Sequence, residues 1–324
     1  MMPYPEFYKE HIEGVINAYN DARAKVKNAA SFVFLTDVHI HLNGRASVPL
    51  ILEIGEKTDV NTVLCGGDLC WAWGSEAECR FDFDSALNYL SPIREKMNLY
   101  LARGNHDVTV RNSWQDDRGY TMAYEQVQKC FESNNSLANG AVEGKLYFYT
   151  DDVKSKTRFV ILDTSEQHQS KDCGWGVITG MEAEQLSWLC NTALHFEEEG
   201  WSAVVMGHIP CVPELPGYSE ELASLAQILE AFKHKKVCKY ADFSNKSGEL
   251  IGYLCGHNHK DRAAVCKDVL HISTGCDSYC KDDDLLRDIG TVNNTLFDLF
   301  LVDKDKRTVN VFRVGAGNNR EFTY

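Results

Sequence analysis

An α/β fold with its chemistry gathered along one edge of its sheets is predicted by two features of the sequence. Short apolar runs of buried-strand character (Phe32 to Leu35, Val63 to Cys65, Leu99 to Ala102, Ala203 to Met206 and Leu250 to Leu254) each lead into a Gly-containing or Gly-flanked polar turn bearing Asp, Asn or His. Stretches of helical spacing separate several of these runs, and in open α/β sheets the functional loops collect at the carboxyl ends of the strands.

The elements follow in order. Phe7, Ile12, Val15, Ile16, Tyr19 and Val26 recur at helical spacing among charges, which predicts an amphipathic helix within residues 6–27. The first strand leads into Thr36-Asp-Val-His-Ile-His41, with Gly44 in the loop beyond. The second leads into Gly66-Gly-Asp68, and a helix is expected from Phe83 to Met97. The third leads into Arg103-Gly-Asn-His-Asp107. Residues 111–145, rich in Asn, Asp, Ser and Gly, read as an exposed excursion that walls a pocket, with one helix from Met122 to Phe131. Strands are expected over Tyr147 to Tyr149 and Phe159 to Leu162, then a helix from Glu182 to Phe196, and then the strand ending at Gly207-His208. A helix from Glu220 to Phe232 falls in residues 213–247, read as an insertion. The last polar turn is Gly256-His-Asn-His259. The tail holds strand runs Val269 to Ile272, Leu296 to Val302 and Val309 to Val314, the last two joined by a hairpin turn at Asp303 to Arg307.

Composition bounds the function. The 324 residues are 44% hydrophobic, enough for a sizeable core. No apolar run reaches the roughly 18 residues of a membrane span and no leader is visible, so the expectation is a cytoplasmic protein without membrane attachment. A net charge of −14, with one basic stretch from Lys233 to Lys239, argues against a nucleic-acid partner. The 12 cysteines lie mostly in apolar runs and read as free, buried thiols, with Cys276 and Cys280 as the closest-spaced candidate for a redox or metal pair.

Collected in order, the polar blocks are Asp37-Val-His39, Gly67-Asp68, Gly104-Asn-His106 followed by Asp107, Gly207-His208 and Gly256-His-Asn-His259. Over residues 31–275 this series resembles the calcineurin-like metallophosphoesterase superfamily. The resemblance implies a four-layer sandwich of two mixed β-sheets flanked by helices, with a dinuclear metal site at the carboxyl ends of the strands. It implies a single domain over 1–324, extended by N-terminal helix over 1–30. By the same resemblance Asp37, His39, Asp68 and His259 hold one metal and Asp68, Asn105, His208 and His257 the other. His106 contacts the phosphate and assists the leaving oxygen, with Asp107 beside it to orient or charge it. Mixed O and N donors suit two divalent or trivalent ions, Mn, Fe or Zn. Two divalent ions set against Asp37, Asp68 and one hydroxide leave roughly +1 in the pocket, so an acidic protein still attracts phosphate. The implied activity is hydrolysis of a small phosphodiester or phosphomonoester by metal-activated hydroxide, with small or cyclic nucleotides favoured. Leu69-Cys-Trp71 after the second block lacks the further acid of phosphoprotein phosphatases and the Tyr of purple acid phosphatases. The form with Asp107 is closer to bacterial cyclic-nucleotide phosphodiesterases.

Blander readings stand beside these. Asp37 and His39 also suit a capped turn, Asn105 a left-handed turn after Gly104, and His208 a satisfied core position. Asp37-Val-His-Ile-His41 also fits the HxH opening of amidohydrolase or PHP-type barrels, in which His39 and His41 would both bind metal; otherwise His41 supports a metal ligand from behind or forms part of the pocket wall. Trp71, Trp73 and Trp114 read as packing or rim residues, or as a stacking surface for a base. An Mre11-type nuclease shares the motif form but needs a basic track, and a non-catalytic binding module would have lost ligands that are all present here.

Overall fold

The alternation of side chains along each strand divides it between two cores. In β1 (Ala29–Leu35) Phe32 and Phe34 join one apolar cluster with Phe159, Val204, Met206 and Phe300, while Val33 and Leu35 join another with Ile12, Leu50 and Ile93. The computed structural model that shows this describes residues 3–40, 46–71, 76–107, 127–129, 131, 138–166, 179–279 and 284–324. In chain order the further strands are β2 (Thr62–Cys65), β3 (Asn98–Leu101), β4 (Phe148–Asp152), β5 (Thr157–Ile161), β6 (Ser202–Met206), β7 (Glu249–Cys255), β8 (Arg262–Cys266), β9 (Val269–Ser273), β10 (Leu296–Asp303), β11 (Thr308–Gly315) and β12 (Arg320–Thr323).

They form two six-stranded sheets. One runs β12-β11-β10-β1-β2-β3 and the other β4-β5-β6-β7-β9-β8. In the first, β1, β2 and β3 are parallel and β10 to β12 antiparallel; in the second, β5, β6, β7 and β9 are parallel between antiparallel edge strands. The inner faces share one apolar core, and helices cover the outer faces. Helices α1 (Lys9–Arg23), α2 (Ser47–Lys57) and α3 (Glu76–Lys96) contribute to the core outside the first sheet. Helix α4 (Ala183–Trp188), its π-helical continuation Leu189–Ala193, and α5 (Ala223–His234) contribute to the core outside the second. The expected sandwich of two mixed sheets between helical layers is thus the observed one.

Both sheets have free edges, so the barrel reading built on His39 and His41 falls: no closed ring of strands is present among the described residues. The helix expected from Phe83 begins earlier, at Glu76, and the one expected over Glu182 to Phe196 widens into a π-helix after Trp188. Helix α2 and the edge strands β8 and β12 have no counterpart in the sequence reading. Of the expected helix from Met122 to Phe131, residues 127–129 and 131 are described and helical. His41, Trp73, Trp114 and Cys280 lie outside the described residues. All nine cysteines within them are free thiols, seven of them buried. No described helix is long and apolar enough to cross a membrane.

Candidate metal centre

Five parallel strands end side by side. The turns after β1, β2 and β3 carry Asp37 and His39, Asp68, and Asn105 with His106; the turns after β6 and β7 carry His208, and His257 with His259. One sheet therefore presents the acids, the amide and two imidazoles, and the other sheet presents three imidazoles.

Backbone geometry aims them. Asp37, His39, Asp68, His257 and His259 have φ of 53°, 39°, 52°, 78° and 55°, the left-handed region that costs an ordinary residue on the order of 1 kcal/mol. Amides hold the turns in place: Asp37 N–H donates to Gly67 O at 2.9 Å and His39 N–H to Asp68 O at 3.1 Å. Gly104 must be glycine, because a Cβ there would lie 2.1 Å from Asp68 Oδ1. Asn105 does not take the left-handed conformation that its place after Gly104 suggested; it opens a 3-10 turn, Asn105–Asp107.

The ring orientations follow from their outer hydrogen bonds. His39 Nδ1–H donates to Cys70 O at 3.1 Å and His208 Nδ1–H to Gly66 O at 2.9 Å, so each turns Nε2 inward. His208 is thus not merely a satisfied core residue. His39 Nε2 and His259 Nε2 lie 3.1 Å apart, with Asp37 Oδ1 3.3 Å from the latter. Asn105 Oδ1 sits 3.1 Å from His208 Nε2 and 2.8 Å from His257 Nδ1. Asp68 Oδ2 lies 3.1 Å from His208 Nε2 and 4.0 Å from His39 Nε2, and so belongs to both groups.

Two carboxylate oxygens decide what this geometry suits. Asp37 Oδ2 accepts from Thr36 Oγ1 and His257 N, and Asp68 Oδ1 from His106 N, but Asp37 Oδ1 and Asp68 Oδ2 are wholly buried, with ring nitrogens beside them and no donor aligned for a hydrogen bond. An orphaned buried carboxylate oxygen facing ring nitrogens is costly unless a cation joins them. The electrostatics agree. Burial works to raise the Asp37 carboxyl, yet the neighbouring histidines hold it down to about 2. Burial pushes His39 down to about 3 and, with His208 adding to it, His257 down to about 4, so both rings are neutral donors near neutral pH. Burial also disfavours charge on His208, but the Asp68 carboxylate raises it to about 9: the protein's own groups favour positive charge at this point. The donor set therefore fits divalent cations in two neighbouring positions. Three groupings have their donor atoms within 4.8 Å of one another: Asp37, His39 and Asp68; Asp68, His208 and His257; and His39, His259 and Cys276, the last a metal candidate in the sequence but expected beside Cys280.

His106 stands at the side of this centre, half-buried. Its Nδ1–H donates to Trp71 O at 2.9 Å, and its ring stacks on the Trp71 indole with centroids 4.9 Å apart and planes 8° from parallel. Trp71 is thus next to the site, packed on His39 as well. Asp107 departs from expectation. Its carboxylate accepts from the main-chain N–H groups of Leu69 at 2.7 Å, Gly104 at 2.8 Å and Asp68 at 3.0 Å, and none of these bonds is to the His106 ring. Burial, with the Asp68 charge beside it, lifts its pKa to about 7. Asp107 clamps the second and third turns together. Two of its partners, Leu69 and Asp68, lie 38 and 39 residues away, beyond any spacing rule.

The family model for calcineurin-like phosphoesterases matches residues 30–261. A search of curated proteins finds no match. Among solved structures the chain is similar to GAP50, the anchor in the inner membrane complex of Plasmodium, with a TM-score of 0.52 at 12% identity over 88% of this chain and 84% of that one. It is also similar to TT1561 of Thermus thermophilus, at TM-score 0.45 and 9% identity over 89% and 98% of the two chains. An archaeal phosphodiesterase aligns at TM-score 0.37 and 12% identity over 91% and 100%. The first of these likenesses, at 12% identity, speaks to fold alone, nothing is argued from the other two, and the family match carries the activity. The chain belongs to the calcineurin-like phosphoesterase family and is a metal-dependent hydrolase of phosphoric esters.

Proposed function

We propose that this calcineurin-like phosphoesterase hydrolyses small phosphodiesters, cyclic or small nucleotides first among them, with two Mn, Fe or Zn ions. The observation that carries the reading is the pair of orphaned buried oxygens, Asp37 Oδ1 and Asp68 Oδ2, each facing inward-turned ring nitrogens. Asp37, His39, Asp68 and His259 would hold one ion and Asp68, Asn105, His208 and His257 the other, with Asp68 shared. When bound, the ions supply Lewis-acid charge at the phosphate oxygens and an activated water-derived nucleophile.

The chain's own groups do the rest. His106, with Nδ1 committed to the Trp71 carbonyl, presents Nε2 as the ring atom that exchanges a proton with the leaving oxygen. The Trp71 stack fixes the ring plane, and His106 N–H, donating to Asp68 Oδ1 at 2.8 Å, ties that ring's backbone to the shared carboxylate. Asp107 acts through the turns it clamps, as a positioning residue. Trp71 beside His106 also offers an aromatic wall to a base or aryl leaving group, which supports a nucleotide over an aliphatic ester.

The test pairs metal analysis with two substrates. Protein loaded with Mn²⁺ is expected to bind two ions per chain and to cleave bis-p-nitrophenyl phosphate faster than p-nitrophenyl phosphate. The reverse order would make it a phosphomonoesterase, and a single bound ion would end the dinuclear assignment.

A further inference from the structure

We propose that Cys276 is a sulfur ligand of the metal held by His39 and His259. This rests on the dinuclear reading above and goes beyond its ligand set.

Cys276 follows β9, on the sheet that also supplies His259, and its side chain is wholly buried. Its Sγ and one ring nitrogen from each of His39 and His259 lie within 4.8 Å of one another. The orphaned Asp37 Oδ1, also wholly buried and 3.3 Å from His259 Nε2, independently marks the same spot as one that calls for a cation. The thiol is not there by loose packing. Residues 276–278 are bound to residues 36–38 by Asp277 N–H to Thr36 O at 2.9 Å, Ser278 Oγ–H to Val38 O at 2.8 Å and the Cys276 thiol to Asp37 O at 2.9 Å. Arg287 holds the Cys276 carbonyl from the other side at 2.9 Å. Sulfur is therefore carried to the centre on a fixed backbone: coordination would give up the thiol's own bond to Asp37 O, while the bonds made by Asp277 N–H, Ser278 Oγ–H and Arg287 remain.

Coordination exchanges the S–H bond for a sulfur–metal bond and passes the proton to solvent; no oxidant is needed. A thiolate is soft where carboxylate and amide oxygens are hard, so it biases this position toward Zn²⁺ or Fe²⁺ over Mn²⁺. The two positions of the centre then differ in kind, one with a sulfur donor and one without.

Cobalt spectroscopy tests this directly. The full chain loaded with two equivalents of Co²⁺ is expected to show an intense near-ultraviolet sulfur-to-cobalt charge-transfer band. The band should vanish in Cys276→Ser and persist in Cys70→Ser, whose thiol lies against His106 O and the Asp107 carboxylate instead. In Cys276→Ser the affinity for Zn²⁺ should fall about 10-fold or more, and that for Mn²⁺ by less. Wild-type protein that binds two Co²⁺ without the band, or a band that survives Cys276→Ser, would reduce Cys276 to a hydrogen-bond donor to Asp37. Failure to take up cobalt at all would overturn the two-metal reading and the sulfur ligand with it.

Discussion

The two ends of the sandwich are both polar, and they are polar in different ways. At the end opposite the metal centre, where β1, β2 and β3 begin, a cavity of about 410 Å³ is lined by Arg23, Asp59, Asn61, Tyr100 and Thr150 among others. Its groups are largely paired with each other. Arg23 Nε donates to Asp59 Oδ2 at 2.8 Å, Tyr19 Oη to Asp59 Oδ1 at 2.5 Å, and Thr150 Oγ1 to Tyr100 Oη at 3.0 Å. At the carboxyl ends the acids and imidazoles instead leave buried oxygens without donors, on backbone held in an unfavourable conformation. Polarity does not distinguish the ends; unsatisfied burial does.

Substitutions at the metal end should therefore abolish function, and those at the other end should touch only stability. The largest effect is expected from Asp68→Asn, which weakens the oxygen shared by both donor groups. Activity should fall by roughly 10³-fold or more, with metal content dropping below two per chain by elemental analysis. An active, doubly loaded variant would break the contrast. Next comes His106→Asn: kcat should fall by about 10² to 10⁴ with metal content unchanged, since its Nδ1 donates to the Trp71 carbonyl and its expected role is toward the leaving oxygen. Loss of metal in that variant would move His106 into the ligand set.

A pH measurement sharpens the contrast at its margin. Asp277, beneath the centre, accepts from Ser47 Oγ and Thr295 Oγ1, and burial raises its carboxyl from 3.8 to about 6. An unfolded chain releases this proton near 3.8 while the folded one keeps it to about 6. Between those values the folded state binds more protons, so its contribution is present at low pH and lost as pH rises, by on the order of 3 kcal/mol. Other buried groups titrate in the same range, so the effect is read as a difference: in chemical denaturation of the chelated protein between pH 4 and 7, the stability of the wild type relative to Asp277→Asn should fall by about this amount as pH rises. The smallest effect is expected at the far end. Asp59→Asn breaks an ion pair with the partly exposed Arg23, and should cost no more than about 1 kcal/mol while leaving kcat/KM unchanged. A change in turnover there would give the cavity a role it has not been assigned.

Much of this contrast could be read from sequence, for a definite reason. Apolar runs ending in Asp37, Asp68, Asn105, His208 and His257 are a local signal, since strand and ligand are contiguous. What was missed is local structure without contrast, or contact without proximity in sequence. Helix α2 begins Ser47-Val-Pro-Leu-Ile51 and is buried through its first turns, where a short continuous apolar run does not tell helix from strand. Strand β8 is an edge strand of mixed exposure, and β12 is four residues long and half-exposed. The clamp of Asp107 and the approach of Cys276 to His39 join residues that are distant along the chain, and only the assembled sheets bring them together.

The left-handed turns also limit what selection or design can substitute there. Asn, Asp and His are the side-chain-bearing residues that tolerate positive φ best, and they are also the ones that offer these short, hard or borderline donors. Glutamate would supply an equivalent carboxylate at Asp37 or Asp68 but has no such affinity for the conformation, and a β-branched residue would be excluded outright. Glycine would relax the backbone and lose the donor. Interchange among Asp, Asn and His is thus the narrow alphabet in which these five positions can change while the turns keep their shape.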